Sequence, residues 1–308
     1  MTVNRTSGRW TALIASTLAS FLTPFMSSAI NLALPSIGRD FSMDAVTLSW
    51  VATSFLLAAA MFLVPFGRLA DIHGRKRLVL YGTAVFTIAS LLAAFSGSAV
   101  VLLSARALQG LGSAMIFGTG VAILTSVFPP QERGRVLGIN VAAVYVGLTL
   151  GPSLGGFLTH NFGWRSIFFV TVPLGLAVII FVRWRLTGEW AEARGEPFDL
   201  IGSILYALSL LALMYGFSQL PGALGFGLLL GGLVGLAAFA TWETRTEHPG
   251  LELSQLLSNR AFAFSNLAAL INYAATTAVT FLLSLYLQYI KALTPQQAGA
   301  VLLFQPIV

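Results

Sequence analysis

The sequence predicts an all-α polytopic membrane protein, a chain whose helices cross a lipid bilayer many times. Only 9% of its 308 residues are charged and 56% are hydrophobic, whereas a soluble domain carries about 25% charged residues. A mean hydropathy of +0.84 agrees with this composition. Long windows without an ionic side chain make lipid the expected surroundings of most of the chain.

Charge-free windows locate the spans, because a helix needs about 20 apolar residues to cross about 30 Å of hydrocarbon. Single spans are predicted in residues 10–38, 45–67, 136–164, 166–182 and 261–290. Since open sheet edges cannot exist in lipid, every span is predicted to be a helix.

Two longer windows each hold a pair of spans. Residues 78–131 contain only Arg106 as a charged residue and divide at residues 95–98. Residues 200–242 are uncharged and turn at Pro221-Gly222. These windows complete nine predicted spans, and a tenth begins after residues 293–295. Because its apolar pattern still runs at Val308, we expect the chain to be C-terminally truncated.

The basic residues predict the orientation of the spans. If the amino terminus is cytoplasmic, the cytoplasmic loops collect 13 of the 17 basic residues: Arg5, Arg9, Arg68, Arg75, Lys76, Arg77, Arg133, Arg135, Arg183, Arg185, Arg194, Arg245 and Arg260. The external side keeps Arg39, Arg165 and Lys291. Cytoplasmic loops carry an excess of Lys and Arg, so we expect a cytoplasmic amino terminus in a multi-pass protein of the cytoplasmic (inner) membrane.

Composition and missing motifs argue against several function classes. The basic residues are spread between apolar runs and form no patch, so nucleic acid is not an expected partner. The absence of cysteine excludes disulfides and thiolate metal sites. An intramembrane enzyme is disfavoured because the spans contain no H-E-x-x-H and no G-x-S-x-G. We therefore expect neither a cofactor nor enzymatic activity.

A basic loop follows the second span and reads Gly67-Arg68-Leu69-Ala70-Asp71-Ile72-His73-Gly74-Arg75-Lys76-Arg77. Its glycines allow tight turns, and its acid is expected to stay ionised beside the cations. The string resembles the pattern G-x-L-a-D-r-x-G-r-k between spans two and three of the major facilitator superfamily. That resemblance implies a transporter whose gate is latched by Gly67, Arg68, Asp71, Gly74, Arg75 and Lys76. We call residues 67–77 the gating segment.

The fourth span carries Arg106 about 10 Å from its end. Gln109 and Ser113 follow at positions i+3 and i+7, so the three share one face. A charge inside a span is a functional-site hypothesis, although an arginine can also snorkel to the interface. The string R-x-x-Q-G-x-G is similar to the family motif associated with proton transfer. This similarity implies a role in proton coupling or substrate contact for Arg106 and Gln109.

Small residues mark two predicted helix contacts. On the fourth span, Gly110, Ala114 and Gly118 are expected to let a neighbouring helix approach closely. The fifth span repeats glycine every four residues and bends at its proline, with the set Gly147, Gly151, Pro152, Gly155 and Gly156. The pattern G-x-x-x-G-P-x-x-G-G resembles the antiporter signature of the drug-export branches, which implies export.

Further strings resemble the fourteen-span drug:proton antiporter (multidrug efflux) branch of the superfamily. They are the opening of span six at residues 164–169, the short loop at 185–199 and the two uncharged helices after it. The resemblance implies a major facilitator fold with an N-terminal six-span half built as three-plus-three inverted repeats (1–186). A linker with two extra central spans (187–243) and the start of a C-terminal half (244–308) follow.

The first span departs from that branch at Met26, where the branch usually has an aspartate. Asn31 does match, and it is expected near the proton-coupling or substrate site. By this topology no span contains a carboxylate near its middle, although a proton carrier is commonly a buried carboxylate. Three explanations stay open: an acid in further C-terminal helices, Arg106 with Asn31 and Gln109 acting through water, or coupling by another route.

The expected function is therefore secondary active export of small amphipathic compounds or drugs by proton antiport with alternating access. The protein is expected to act in the lipid bilayer as a monomer. Uptake of a sugar or metabolite by the same fold is one alternative, and a membrane sensor that no longer transports is another.

Overall fold

The computed structural model describes residues 3–247, 249–251 and 259–305, with side chains from Gly8 onward. This part of the chain contains the α-helices α1 (Val3–Asp40), α2 (Ala45–His73), α3 (Arg75–Ala94), α4 (Ala99–Val127), α5 (Pro130–Phe162), α6 (Arg165–Arg185), α7 (Leu200–Ser218), α8 (Ala223–Glu243), α9 (Arg260–Leu285) and α10 (Pro295–Leu302). A π-helical turn, Tyr286–Ile290, extends α9. Within the described residues, nine helices are long and apolar enough to cross a membrane, which confirms the predicted spans.

Short polar residues fix where several helices begin. A side-chain oxygen caps the first free backbone N–H groups of α2 (Asp44), α4 (Ser98), α7 (Asp199), α9 (Asn259) and α10 (Thr294). The shortest of these contacts joins the Asp44 carboxylate to the backbone N–H of Thr47 at 2.8 Å. Each cap satisfies donors that have no partner inside the helix, so these boundaries follow from local sequence.

Helices α1 to α6 form one bundle with an internal symmetry. Helix α1 packs on α5 as α4 packs on α2, and α6 packs on α1 as α3 packs on α4. Exchanging α1–α3 with α4–α6 therefore maps the contacting pairs onto each other, as the predicted three-plus-three repeats require. The main hydrophobic core lies inside this bundle and includes Phe55, Phe86 and Phe168.

The helix ends meet on two sides. On one side Arg75, the first residue of α3, contacts Ala122 near the end of α4 and Glu192 after α6. We call this the basic side. On the other, which we call the far side, Arg165 at the start of α6 donates hydrogen bonds to Asp40 and to the Ser96 carbonyl. The spans thus alternate in direction as predicted, while the cytoplasmic location of the basic side stays a prediction.

Helices α7 and α8 form a hairpin at the edge of the bundle. They pack closely on each other, and α7 also contacts α2, where the rings of Trp50 and Tyr215 are 6.2 Å apart. Most of their large apolar side chains are exposed, which suits contact with lipid. At the basic side, Phe198 and Gly250 help to line a small cavity between α2, α7 and α8.

Helices α9 and α10 touch the bundle on its far side. The Ser284 hydroxyl in α9 donates a 2.6 Å hydrogen bond to the Asn31 carbonyl of α1, and α10 packs along α5. Leu287 after α9 joins a small hydrophobic cluster with Leu32 and Leu302. The remainder of α9 is largely exposed. The division of the chain at residues 186 and 243 into functional units stays a prediction.

Candidate functional site

A fully buried arginine lies where α2, α3 and α4 meet. Arg106 donates one hydrogen bond to the Val51 carbonyl at 2.9 Å and another to the Gln109 side-chain oxygen at 2.8 Å. Gln109 in turn donates to the Ser90 hydroxyl at 2.7 Å. The side chains of Arg106, Gln109 and Ser90 are all completely inaccessible to solvent. The predicted polar face is therefore real, and Arg106 does not snorkel out of the bundle.

Neutral groups surround the Arg106 charge. Its guanidinium lies 4.5 Å from the centre of the Phe55 ring, a cation–π contact. Among the residues that the structure describes, neither Arg106 Nη2 nor the Ser113 hydroxyl has a hydrogen-bond partner. Placing a charge in such a site is costly, and an open donor leaves it able to bind one more acceptor.

Glycines set the spacing of helices around Arg106. A Cβ added to Gly110 would collide with the Phe55 carbonyl and lie 2.8 Å from the Ala58 Cβ of α2. A Cβ added to Gly118 would lie 3.3 Å from the Gly67 nitrogen, also in α2. The prediction that small residues of α4 allow a close helix approach is confirmed. Gly110 and Gly118 lie directly against the backbone of α2.

The gating segment is mostly helical, which corrects the predicted loop. Helix α2 continues through His73, and α3 begins at Arg75. Gly74 is the single residue between them, with a φ of 116°, a conformation that glycine adopts readily. The expectation that Gly67 forms a tight turn is wrong, because Gly67 lies within α2. Gly118 of α4 packs against the Gly67 backbone, whereas a Cβ added to Gly67 itself would meet open space.

Arg75 is the centre of the gating segment. Its side chain is 7% exposed and forms an ion pair with Asp71 of α2 at 2.7 Å. It also donates hydrogen bonds to the Ala122 carbonyl at 3.1 Å and to the Ser126 hydroxyl. The predicted pairing of Asp71 with a cation is confirmed, and the pair ties the start of α3 to the ends of α2 and α4.

The linker between α6 and α7 supplies a second carboxylate to Arg75. Glu192 accepts two parallel hydrogen bonds from Arg75, at 2.8 and 3.1 Å, and a third from the Ser126 hydroxyl at 2.8 Å. The hydrogen bonds from Arg75 and then Ser126 hold the pKa of the Glu192 carboxyl below its usual value. Arg68 and Lys76, also predicted for the site, contact the same linker through Glu196 and Glu189.

Sequence reasoning missed this linker, although a signal was present. Three glutamates, Glu189, Glu192 and Glu196, lie within eight residues of one another. By the predicted topology they share a side of the membrane with the cations of the gating segment. Opposite charges concentrated on one side of the membrane are a reason to expect contact between the two segments.

The predicted antiporter helix presents glycines to two partners. Cβ atoms added to Gly147, Gly151 and Gly155 would lie within 2.8 Å of atoms in residues 21–29 of α1. Gly156 lies on another face and approaches the Pro295 carbonyl at the start of α10. Pro152 also faces α10, where a Cβ added to Gly299 would meet its carbonyl group. Helix α5 is continuous through Pro152.

The structure does not bring the third predicted coupling residue to the others. All three residues are described, and no hydrogen bond joins Asn31 to Arg106 or Gln109; the Asn31 main-chain carbonyl instead accepts a hydrogen bond from Ser284. Met26 is fully buried, and its sulfur is 3.5 Å from the Thr171 hydroxyl of α6. Position 26 is therefore buried inside the bundle, with the Thr171 hydroxyl beside it.

Carboxylates lie away from the middle of the spans. Every acidic residue in the described part of the chain is in a loop or in the first or last turn of a helix; Glu252 lies outside that part. The gating segment and Arg106 are also well separated. Arg106 and Ala122 are 16 residues apart in α4, which is about 24 Å along a helix. The site consists of two separate parts, one within the bundle and one at its basic side.

This fold and these two sites define a multi-pass helical membrane protein with a buried charge and a clamped interhelical turn. The family comparison agrees. The chain belongs to the Major Facilitator Superfamily, whose pattern it matches over residues 16–307.

Curated relatives are named as transporters and export proteins. The chain is 37% identical over 307 residues to the cephamycin export protein CmcT of Amycolatopsis lactamdurans, covering 96% of this chain and 62% of that protein. It is 33% identical over 298 residues to the multidrug resistance protein Stp of Mycobacterium tuberculosis, covering 94% and 55%. With the riboflavin transporter RibZ of Clostridioides difficile it shares 30% identity over 300 residues, covering 97% and 65%. The chain thus spans about half to two thirds of the length of such relatives.

Two solved structures share the fold. One is a bacterial homologue of the human lysosomal transporter Spinster, with a TM-score of 0.50 and 20% identity over 76% of this chain and 61% of that chain. The other is a mutant of the peptide transporter POT in complex with alafosfalin, with a TM-score of 0.53 and 15% identity over 68% and 50%. At these identities the likeness concerns the fold alone.

Proposed function

We propose that the protein is a secondary active exporter of small amphipathic compounds, driven by proton antiport through alternating access, and that it belongs to the fourteen-span branch. The observation that carries this proposal is the enclosed Arg106–Gln109–Ser90 chain. A charge with only neutral partners inside a span is too costly to be retained for packing, since uncharged residues pack at least as well. A proton-coupled or anion-binding step gives it a use.

The names of the relatives support export over uptake. CmcT is named as a cephamycin export protein and Stp as a multidrug resistance protein. Helix α5 adds support, because its antiporter-like glycines hold it against α1 while Gly156 approaches α10. The six-span half therefore contacts the helices after residue 259 mainly on the far side. Alternating access requires that this contact can open.

Arg106 and Gln109 are the residues we assign to proton coupling, and Asp71 with Arg75 to the latch. In the proposed orientation the amino terminus and the gating segment face the cytoplasm, in the cytoplasmic membrane, and the protein acts as a monomer. We assign Asn31 to the contact between α1 and α9, because its main-chain carbonyl accepts a hydrogen bond from the Ser284 hydroxyl.

Export and orientation have direct tests in the whole protein. In inside-out vesicles, an imposed pH gradient that is acidic inside should drive uptake of a fluorescent cation such as ethidium, and dissipating the gradient should stop it. Replacing Asp71 by Asn should slow this uptake, because the Arg75 ion pair is lost. Uptake that is indifferent to the gradient, or a parental rate for Asp71→Asn, contradicts the proposal.

Orientation can be measured separately because the chain contains no cysteine. His73 at the end of α2 is exposed, so a His73→Cys variant should react with an impermeant maleimide only from the cytoplasmic face. Reaction from outside intact cells would reverse the proposed topology.

A metabolite transporter is a second candidate, favoured by the similarity to RibZ over 97% of the chain. Counterflow in proteoliposomes distinguishes the two. Labelled riboflavin that accumulates against unlabelled riboflavin, without displacement by ethidium, would favour the metabolite reading.

A further inference from the structure

The linker between α6 and α7 pairs its glutamates one by one with the cations of the gating segment. Glu189 lies 3.6 Å from Arg77, Glu192 lies 2.8 Å from Arg75, and Glu196 lies 2.6 Å from Arg68. We call residues 186–199 the acidic strap. The two segments thus have complementary charges at three positions. A chance contact between two surface segments would form a single ion pair.

Backbone hydrogen bonds fix the strap in register with the gating segment. The Arg75 N–H donates to the Trp190 carbonyl at 2.9 Å, and the Ala193 N–H donates to the Asp71 carbonyl at 3.0 Å. The Glu189 carboxylate also accepts a 2.9 Å hydrogen bond from the Lys76 N–H. The strap therefore satisfies backbone groups exposed where α2 ends and α3 begins.

Glycine at position 74 makes room for the strap. A Cβ at Gly74 would lie only 2.7 Å from the Glu189 Cγ. Ala193, which donates its N–H to the Asp71 carbonyl, is 6% exposed, whereas the Glu192 side chain is 64% exposed. The strap thus covers the turn with its backbone and small residues, and its charged groups reach in from the solvent.

The strap continues directly into the α7–α8 hairpin. Asp199 ends the strap and caps α7, and it also accepts a 2.9 Å hydrogen bond from the Trp242 indole of α8. Arg68 lines the small cavity between α2, α7 and α8 and is paired with Glu196. A displacement of the gating segment is thereby connected to the hairpin through a short, hydrogen-bonded path.

From these contacts we infer that the acidic strap is part of the gate: it holds the gating segment in one position, with Glu192 as the positioning residue for Arg75, and links it to the α7–α8 hairpin. The inference rests on the proposed latch function of the gating segment. It assigns the α6–α7 linker and the hairpin a role in gating beyond that of connection and lipid contact.

A buried thiol within the strap measures docking without any transport assay. In an Ala193→Cys variant of the whole protein, purified in detergent, reaction with a maleimide requires the strap to open. Adding Glu192→Gln should raise the reaction rate about fivefold, the factor expected when a partly exposed ion pair is lost from an opening equilibrium. The matched control is Glu247→Gln, because Glu247 is an exposed loop glutamate; it should leave the rate unchanged.

A double-mutant cycle tests whether Glu192 acts through Arg75. Glu192→Gln should have little further effect in an Arg75→Gln background, since the partner is already gone. Equal effects in both backgrounds, an unchanged rate on Glu192→Gln alone, or the same increase with Glu247→Gln would each overturn the inference. The proposed export function fails by a different observation, namely ethidium uptake that ignores the pH gradient.

Discussion

Replacing Arg106 by Met tests whether the buried charge serves function or stability. Methionine keeps an unbranched side chain and removes the charge with its two hydrogen bonds, to Val51 and Gln109. Hydrogen bonds inside membrane proteins are worth about 0.6 kcal/mol each on average, and the contact with Phe55 adds about 2 kcal/mol. Against this, removing a charge from a dry site recovers several kcal/mol of desolvation.

These terms nearly cancel, so Arg106→Met should change the free energy of unfolding by no more than about 1–2 kcal/mol. Export should nevertheless fall by about tenfold or more, which corresponds to the loss of about 1.4 kcal/mol of stabilisation in the transport cycle. Stability is measured by thermal unfolding in detergent, followed through the six tryptophans, and export by ethidium movement in vesicles.

The matched control is Arg135→Met, because Arg135 is an exposed arginine on the basic side, near the start of α5. It should change neither quantity. Parental export by Arg106→Met would refute the assignment of Arg106 to coupling. Loss of export in proportion to a large loss of folded protein would show instead that Arg106 is a structural residue.

Three further predictions concern packing and charge. Gly74→Ala should destabilise the protein by about 1–3 kcal/mol and lower its melting temperature, because position 74 has a positive φ and is crowded by Glu189. The control Gly67→Ala lies in an open helical position and should not lower the melting temperature. Gly156→Ala should lower the melting temperature because of the Pro295 carbonyl, and Gly138→Ala on the open face of the same helix should not; equal shifts would contradict the tight α5–α10 contact. Because the pKa of Glu192 is lowered in the folded protein, ionised Glu192 stabilises the fold fully above the ordinary glutamate pKa. This contribution to the free energy of unfolding is lost as the pH falls through the pKa of Glu192 in the folded protein. The melting-temperature difference between the parent and Glu192→Gln should accordingly shrink on acidification, and a difference that is constant with pH would count against the pair.

Periodic and charge-free patterns were sufficient to predict the spans, because lipid imposes length and polarity on every one of them. They also predicted the Arg106 face, since i and i+3 positions of a helix must be neighbours. Hydropathy placed the end of α2 too early. Residues 68–73 are polar enough to leave the membrane, but they remain helical until Gly74.

Contacts between distant segments were the part that sequence reasoning did not provide. Nothing local to Asn31 indicates that its carbonyl accepts from Ser284, more than 250 residues later in the chain. Gly156 appeared to belong with Gly155, but adjacent helical residues point about 100° apart, so one faces α1 and the other α10. The acidic strap was missed because the linker was assessed by its length and not by its charge.

The glycine-lined crossings described above restrict how the six-span half can move. Where the backbone of α5 lies directly on α1, and that of α4 on α2, no layer of side chains can change rotamers to let the helices slide. Each pair should therefore travel as one stiff body during the cycle. The movement needed for transport must then come from contacts between polar side chains at the surface. Water can replace these hydrogen bonds and ion pairs at little cost in free energy.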